Sequence, residues 1–284
     1  MTSHSMDSPI QPEPREIARL GGPRKTTNEF ERFEGDPNFV LSLARGLRII
    51  ECFEGHRDGL TVSELARISS LSRAAVRRIL LTLAHLGYAE DTGRSFRLKT
   101  RVLKLGFSYL SSTSLPSIAQ PVLESITETL HESSSLSVLD GDQIVYLARS
   151  ATKRVMSVGL SVGSRLPAYC TSMGRVLLAA LPDSELEAFL NGAELKPLTP
   201  KTVTNKAVLA EIIRRIRSDG FALTDEELEL GLRSIAVPIR TRQNRIVAAI
   251  NVGVHAARVS AAEMVHRYLP HLRESALSLS QLLG

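Results

Sequence analysis

The sequence predicts an α+β fold in two parts, and three observations predict it. Apolar residues recur at helical spacing through residues 42–86, and the chain then passes into two short extended runs around a turn. From residue 116 onward, helical stretches alternate with apolar, β-branched runs long enough for buried strands. The positive charge is concentrated: residues 41–105 hold twelve Lys or Arg against six Asp or Glu, +6 in a chain whose total is +5. At 284 residues there is enough chain for two domains with their own cores. The expected division is a disordered arm at 1–37, a basic domain at 38–99, a linker helix at 100–115 and a second domain at 116–284.

The arm is rich in Pro, Glu, Ser and Gly and lacks the apolar centre of a signal peptide. "SLARGLRIIECFE" (42–54) follows as an amphipathic helix with Leu43, Leu47, Ile50 and Phe53 on one face and Ser42 as its cap. After the loop "GHRDG", Thr61 or Ser63 caps a short helix carrying Leu65 and Ile68. The link "SSLS" leads into a longer helix over 72–86, whose apolar stripe is Val76, Ile79, Leu80, Leu83 and Leu86. "YAEDTGRSFRL" then reads as a hairpin turning at Asp91-Thr92-Gly93-Arg94. Helix, short helix, tight turn, helix and hairpin is the order of a winged helix-turn-helix.

The face of the 72–86 helix opposite its stripe carries Arg73, Arg77 and Arg78, and no Asp or Glu occurs between residues 65 and 89. A helix that needs only a solvated face mixes both signs to gain i,i+4 pairs. In a helix-turn-helix, however, the second helix enters the major groove of double-stranded DNA with its N-terminal residues nearest the bases. Arginines there reach phosphates or guanine edges, and Ala74 allows close approach or touches a thymine methyl. Ser72, Arg73, Ala74, Arg77 and Arg78 are therefore the expected DNA contacts, with Arg45 on the first helix and Arg94 at the wing tip.

The linker helix is expected over "TRVLKLGFSYL". Beyond it come a helix over 116–133, strands on either side of Asp140-Gly141-Asp142, a strand at 155–163, and a helix from Ser172. A further helix ends at Gly220, a hairpin covers 233–255, and a long helix closes the chain, giving an antiparallel sheet flanked by helices. Cys52 and Cys170 lie far apart without a CxxC motif, which fits two buried thiols in a reducing cytoplasm rather than a disulfide or zinc site. No run of eighteen apolar residues occurs, so no membrane helix is expected. GxSxG, HExxH, GxGxxG and P-loop patterns are all lacking, which argues against an enzyme and against a bound cofactor or metal. Glu226 and Glu227 read as solvated acids.

The stretches "LARGLRIIECF", "LTVSELARISSLSRAAVRRILLTLAHLGY", "GSRLPAYCTSMGRVLLA" and "GFALTDEELELGLRSIAVPI" resemble, in order and spacing, the IclR-type bacterial transcriptional regulators over residues 38–284. "ELELGLRSIAVP" is most similar to the subgroup controlling protocatechuate, p-hydroxybenzoate and β-ketoadipate catabolism. The resemblance implies a winged N-terminal domain and a GAF-like C-terminal effector domain. It implies promoter DNA and a second copy of the chain as partners, in a homodimer or dimer of dimers. It also places a small carboxylic-acid effector between the sheet and the helix starting at Ser172. Thr171 or Ser172 capping that helix would leave N–H groups near Met173 and Gly174 facing a carboxylate, with Gly174 giving room, although a plain capped helix start has the same pattern. The other pocket residues carried over are Thr224 and Ser234, where several family members have an acid and a cysteine. Tyr169 and Arg165 lie near enough in sequence to stack on or pair with a ring-bearing acid, although a structural role in the sheet or at the subunit contact fits both equally well. The competing reading is a C-terminal domain that only oligomerises or answers a non-aromatic metabolite.

Overall fold

The computed structural model describes residues 30, 33, 35–112, 114–152 and 160–283. The expected arm thus lies almost wholly outside the described residues, as does most of the strand expected at 155–163. The described end of that strand, 160–163, is loop and turn. Contacts divide the chain into two compact units that meet between Ser112 and Thr113.

The first unit contains α1 (Leu41–Glu51), α2 (Val62–Ser69), α3 (Arg73–His85), the two-stranded wing β1 (Ala89–Asp91) and β2 (Phe96–Leu98), and α4 (Leu103–Ser112), which follows a single 3-10 turn. Its core gathers Ile49, Leu65, Val76, Leu80 and Phe96. Thr61, not Ser63, caps α2. Its hydroxyl accepts the N–H of Glu64, while the Glu64 carboxylate accepts the N–H and hydroxyl of Thr61, each at 2.8 Å. Ser70, in the left-handed region at φ 59°, makes the turn into α3. Reciprocal backbone bonds between Leu60 and Phe96 tie the loop before α2 to the wing.

Ser42 lies inside α1 and does not cap it; the N-cap is Val40, without a side-chain bond. α1 buries Ile49, followed by Cys52 and Phe53 just past its end; of the expected face, Phe53 is buried and Ile50 packs against the core. Leu43 and Leu47 remain 61% and 49% exposed. The helix is apolar on two sides, and periodicity alone cannot say which side the small core covers. Leu86 likewise falls beyond the end of α3 and is exposed.

The second unit is a six-stranded antiparallel sheet in the order β5-β4-β3-β8-β7-β6. The strands are β3 (Ser133–Asp140), β4 (Gln143–Ser150), β5 (Arg165–Pro167), β6 (Ala222–Asp225), β7 (Leu232–Arg240) and β8 (Ile246–His255). On one face lie α5 (Leu115–Leu130) and the closing helix, which runs from α9 (Ala261–Glu263) through a π turn into α10 (Leu269–Leu282). On the other face α6 (Ser172–Ala179) packs against β7, β8 and β3, with α8 (Lys206–Asp219) beside it. The short strands β5 and β6 and the helix α7 (Asp183–Gly192) went unread in the sequence. Side chains alternate across a strand. Ile235, Val237 and Ile239 of β7 and Ile250, Val252 and Val254 of β8 therefore fill the α5/α10 side. The α6 side receives Ser234, Ala236, Ala249, Asn251 and Gly253, which are too small to fill it.

The Thr61 bonds, chiefly its backbone N–H, hold the Glu64 carboxyl below the usual range. A depressed folded-state pKa stabilises fully above the unfolded value and stops doing so as pH falls through the folded one. Glu64→Gln, which removes the titrating charge, is expected to destabilise the first unit near neutral pH, with the gap to wild type narrowing as pH falls through the Glu range. Urea melts across pH would show this, and a pH-independent gap would contradict it.

Candidate functional site

On the basic unit, Ser72 caps α3: its Oγ accepts the N–H of Ala75 at 3.2 Å and keeps its own proton free to donate. Arg73, Ala74, Arg77 and Arg78 follow on the exposed face. None of these three guanidinium groups pairs with any described residue. Arg94 is exposed at the wing tip beside Gly93, whose φ of 83° the turn requires. The tip is braced by Asp91, which accepts the Gly93 N–H, and by Arg97, which donates to the Asp58 carbonyl. Arg45 stands apart from this set, half-buried in α1 with its Nε enclosed and without a partner among the described residues.

In the second unit, the small residues under α6 leave a cavity of about 50 Å³. Strand register orders its floor, because residues paired across strands point to the same face. One row runs Ser133, Gly253, Ser234, Thr224, from β3 through β8 and β7 to β6. The next row runs Arg149, Ser135, Asn251, Ala236, starting from β4. In the first row hydroxyls are linked: Ser172 Oγ lies 2.7 Å from Ser234 Oγ, and Thr224 Oγ1 lies 3.1 Å from it. Ser172, Met173, Thr224 and Ser234 thus meet at the cavity as expected. Met173 is fully buried, and its sulfur accepts the Ser137 hydroxyl.

The remaining expectations fare differently. Thr171, not Ser172, caps α6, and its Oγ1 accepts the N–H of Gly174, so that N–H is not free. A Cβ on Gly174 would lie 2.2 Å from the Ala168 carbonyl oxygen; the glycine makes room for the 3-10 turn Ala168–Cys170, not for a ligand. Tyr169 does not line the cavity, and its hydroxyl donates to the Lys196 carbonyl at 2.7 Å. Arg165 pairs with Asp140 and Gln143 outside it.

Residues unread in the sequence complete the site. Arg149 lines the cavity, half-buried, with no described ion-pair partner. Tyr146 is buried beside it, and burial pushes its phenol up to about 12, with the Arg149 charge pulling weakly the other way, so the hydroxyl stays a donor at neutral pH. Cys170, also lining the cavity, is pushed up to about 12 by burial and remains a neutral thiol.

Glu227 is not solvated. Arg175, 2% exposed, binds it in a fork: Nη1 and Nη2 each donate to one carboxylate oxygen at 2.6 Å. Arg175 Nε donates to the Tyr169 carbonyl, and Glu227 also accepts the N–H of Val203. Its neighbour Glu226, at φ 58°, pairs with Lys201 and accepts the Gly231 N–H. A larger open groove of about 480 Å³ lies between α6, α8 and the β7–β8 turn. There Arg217 already pairs with Asp183 and the carbonyls of Ala179 and Leu181, and Arg240 with Asn244.

A winged helix-turn-helix with a free arginine face, joined to an α+β unit with a polar internal cavity, defines a DNA-binding regulator. Residues 42–93 match the IclR helix-turn-helix domain, and residues 107–281 match the family described as bacterial transcriptional regulator IclR C-terminal. The chain belongs to the IclR family of bacterial transcriptional regulators, which are not enzymes. It is 45% identical over 288 residues, 98% of each chain, to the Pca regulon regulatory protein of Pseudomonas putida. Among solved structures it resembles an IclR homolog from Microbacterium hydrocarbonoxydans complexed with 4-hydroxybenzoate: 25% identity, TM-score 0.72, covering 84% of this chain and 98% of that one. It also resembles a double mutant of the PobR inducer-binding domain from Acinetobacter, complexed with 3-hydroxybenzoic acid. There the identity is 34% and the TM-score 0.58, covering 60% of this chain and all of that one.

Glu227→Gln strands the buried Arg175 charge and is expected to cost the second unit about 3–5 kcal/mol in urea denaturation. Arg175→Met with Glu227→Leu should recover much of it. A loss below about 1 kcal/mol in the single variant would mean the pair is solvated after all.

Proposed function

We propose that this chain is a cytoplasmic regulator of aromatic-acid catabolism genes that binds promoter DNA through α3 and the wing and responds to a small organic acid, aromatic or dicarboxylic, in the cavity under α6. The observation that carries the acid reading is Arg149: a half-buried guanidinium facing a cavity without a described carboxylate to pair with. Such a group recruits an anion from solution. At the far side of the floor, the hydroxyls of Ser172, Ser234 and Thr224 and the N-terminus of α6 accept a second polar end without adding negative charge. The relatives solved with hydroxybenzoates support the chemical class. A cavity that takes benzene is about 150 Å³. The present 50 Å³ therefore has to open as the acid enters.

On the DNA side, Ser72, Arg73, Ala74, Arg77 and Arg78 contact the major groove and Arg94 the backbone or minor groove, while the enclosed Nε of Arg45 leaves it a lesser role. The working form is a homodimer or dimer of dimers, which sets two recognition helices on one site. The exposed Leu43 and Leu47 of α1 and Leu103 and Leu105 of α4 support self-association. The acid acts by differing in affinity between two arrangements of the DNA-binding units.

Fluorescence anisotropy on the upstream intergenic DNA, with and without 4-hydroxybenzoate, protocatechuate or β-ketoadipate at fixed salt, tests the whole reading. Arg77→Ala should weaken specific binding by about 1–3 kcal/mol if it reads a base, or lower the salt slope by about one if it holds a phosphate. An unchanged affinity and slope would remove it from the interface. Arg149→Met should abolish the acid's effect and leave DNA affinity intact; a full response from that variant would overturn the seat.

A further inference from the structure

We infer that Asn251, with Ser135 opposite it, selects acids that carry a neutral oxygen on their body, a hydroxyl or a keto group, over the same acid without one. The inference rests on the acid reading above and adds a specificity determinant to it.

Asn251 and Ser135 face each other in register across β8 and β3 and both line the cavity. Most other polar side chains there are accounted for. Ser172, Ser234 and Thr224 bond to one another, the Ser133 hydroxyl accepts the N–H of Thr152, and Arg149 is the carboxylate seat. The Asn251 amide has no partner among the described residues: its Oδ1 is enclosed and accepts no hydrogen bond from them, and the next side chain in the row is Ala236. Ser135 Oγ, too, bonds no described residue.

An unpartnered amide in the middle of a sheet opposes folding, and a leucine of similar size would fill the space without that cost. The amide's value lies in what it can bind. Turning about its last side-chain torsion, it presents either a carbonyl that accepts from a ligand hydroxyl or an NH2 that donates to a ligand keto group. Ser135 serves the same oxygen from the next strand, close enough for both to act on one atom. Arg149 is next in the row beyond Ser135, so an acid held there by its carboxylate lays its body over Ser135 and Asn251. A plain hydrocarbon body in that place leaves the amide buried and unpaired, which is how a site rejects an analogue lacking one polar group.

Isothermal titration of the full-length protein with two matched pairs tests this: 4-hydroxybenzoate against benzoate, and β-ketoadipate against adipate. Wild type should bind the oxygenated member of at least one pair about tenfold or more tightly. In Asn251→Leu that ratio should fall to within about threefold, through loss of affinity for the oxygenated acid alone. Ser135→Ala should lower it part-way, and serves as the readout should Asn251→Leu fail to fold. A ratio that persists in these variants, or that is near one in wild type, overturns the inference. If Arg149→Met loses acids whose ratio Asn251→Leu leaves unchanged, the acid reading stands and this one falls. If none of the four acids binds wild type, both fall.

Discussion

Arg175 brings a full charge into the interior of the second unit, and the segments around the cavity converge on keeping it paired. Its fork holds Glu227, its Nε holds the Tyr169 carbonyl, and Glu227 in turn holds the backbone of Val203. Three stretches far apart in sequence, the turn before α6, the loop before α8 and the loop after β6, thus share one electrostatic centre. Hydroxyls reinforce it, with Thr199 donating to the Glu226 carbonyl and Thr202 to that of Glu227. A buried ion left alone is costly enough that α6 cannot roll on the sheet without breaking the pair. That fixes which face of α6 meets the sheet. Ser172 and Met173 reach the cavity from the first turn of α6, which Arg175 ties to Glu227.

The floor has its own logic. The β7–β8 hairpin carries large branched residues at every second position and small or polar ones between. One side of the sheet is therefore close-packed against α5 and α10. The other side meets α6 across residues too short to close the gap. A cavity of this kind needs no irregular backbone. It comes from the period of two in a strand, with side-chain volume changing between the two faces. Register then lines up polar groups from four strands into rows, which is how residues as distant as Arg149 and Asn251 come to share a surface.

Much of this was legible in the sequence where local chemistry decides. Ser72, the apolar period of α3 and the Asp-Thr-Gly-Arg turn defined the recognition helix and wing to within a residue. Gly220 ended α8 where expected, in the left-handed region. What was illegible depended on partners distant in the chain. Leu43 and Ile49 are both apolar, and only the rest of the first unit determines that Ile49 is the buried one. Gly174 read as space for a ligand, but its space is filled by Ala168, which packs back on the helix start. Glu227 in an acidic surface-like run gave no hint of Arg175, fifty-two residues earlier. Arg149 and Asn251 sit in apolar strands whose register no local pattern reveals.

The closed state of the cavity also has a consequence for sensitivity. If the acid binds in this cavity, as proposed, its volume of about 50 Å³ means that binding goes through whatever fraction of molecules has already parted α6 from the floor, or through parting it on contact. On that reading the concentration at which genes respond is set by two quantities that evolve separately: the fit of the acid to the rows, and the ease with which α6 parts from the sheet. Substitutions in the α6–α8 layer that never touch ligand would shift that threshold while preserving which acid is recognised. A lineage could thus retune its dose response to a richer or poorer habitat without relearning its chemistry.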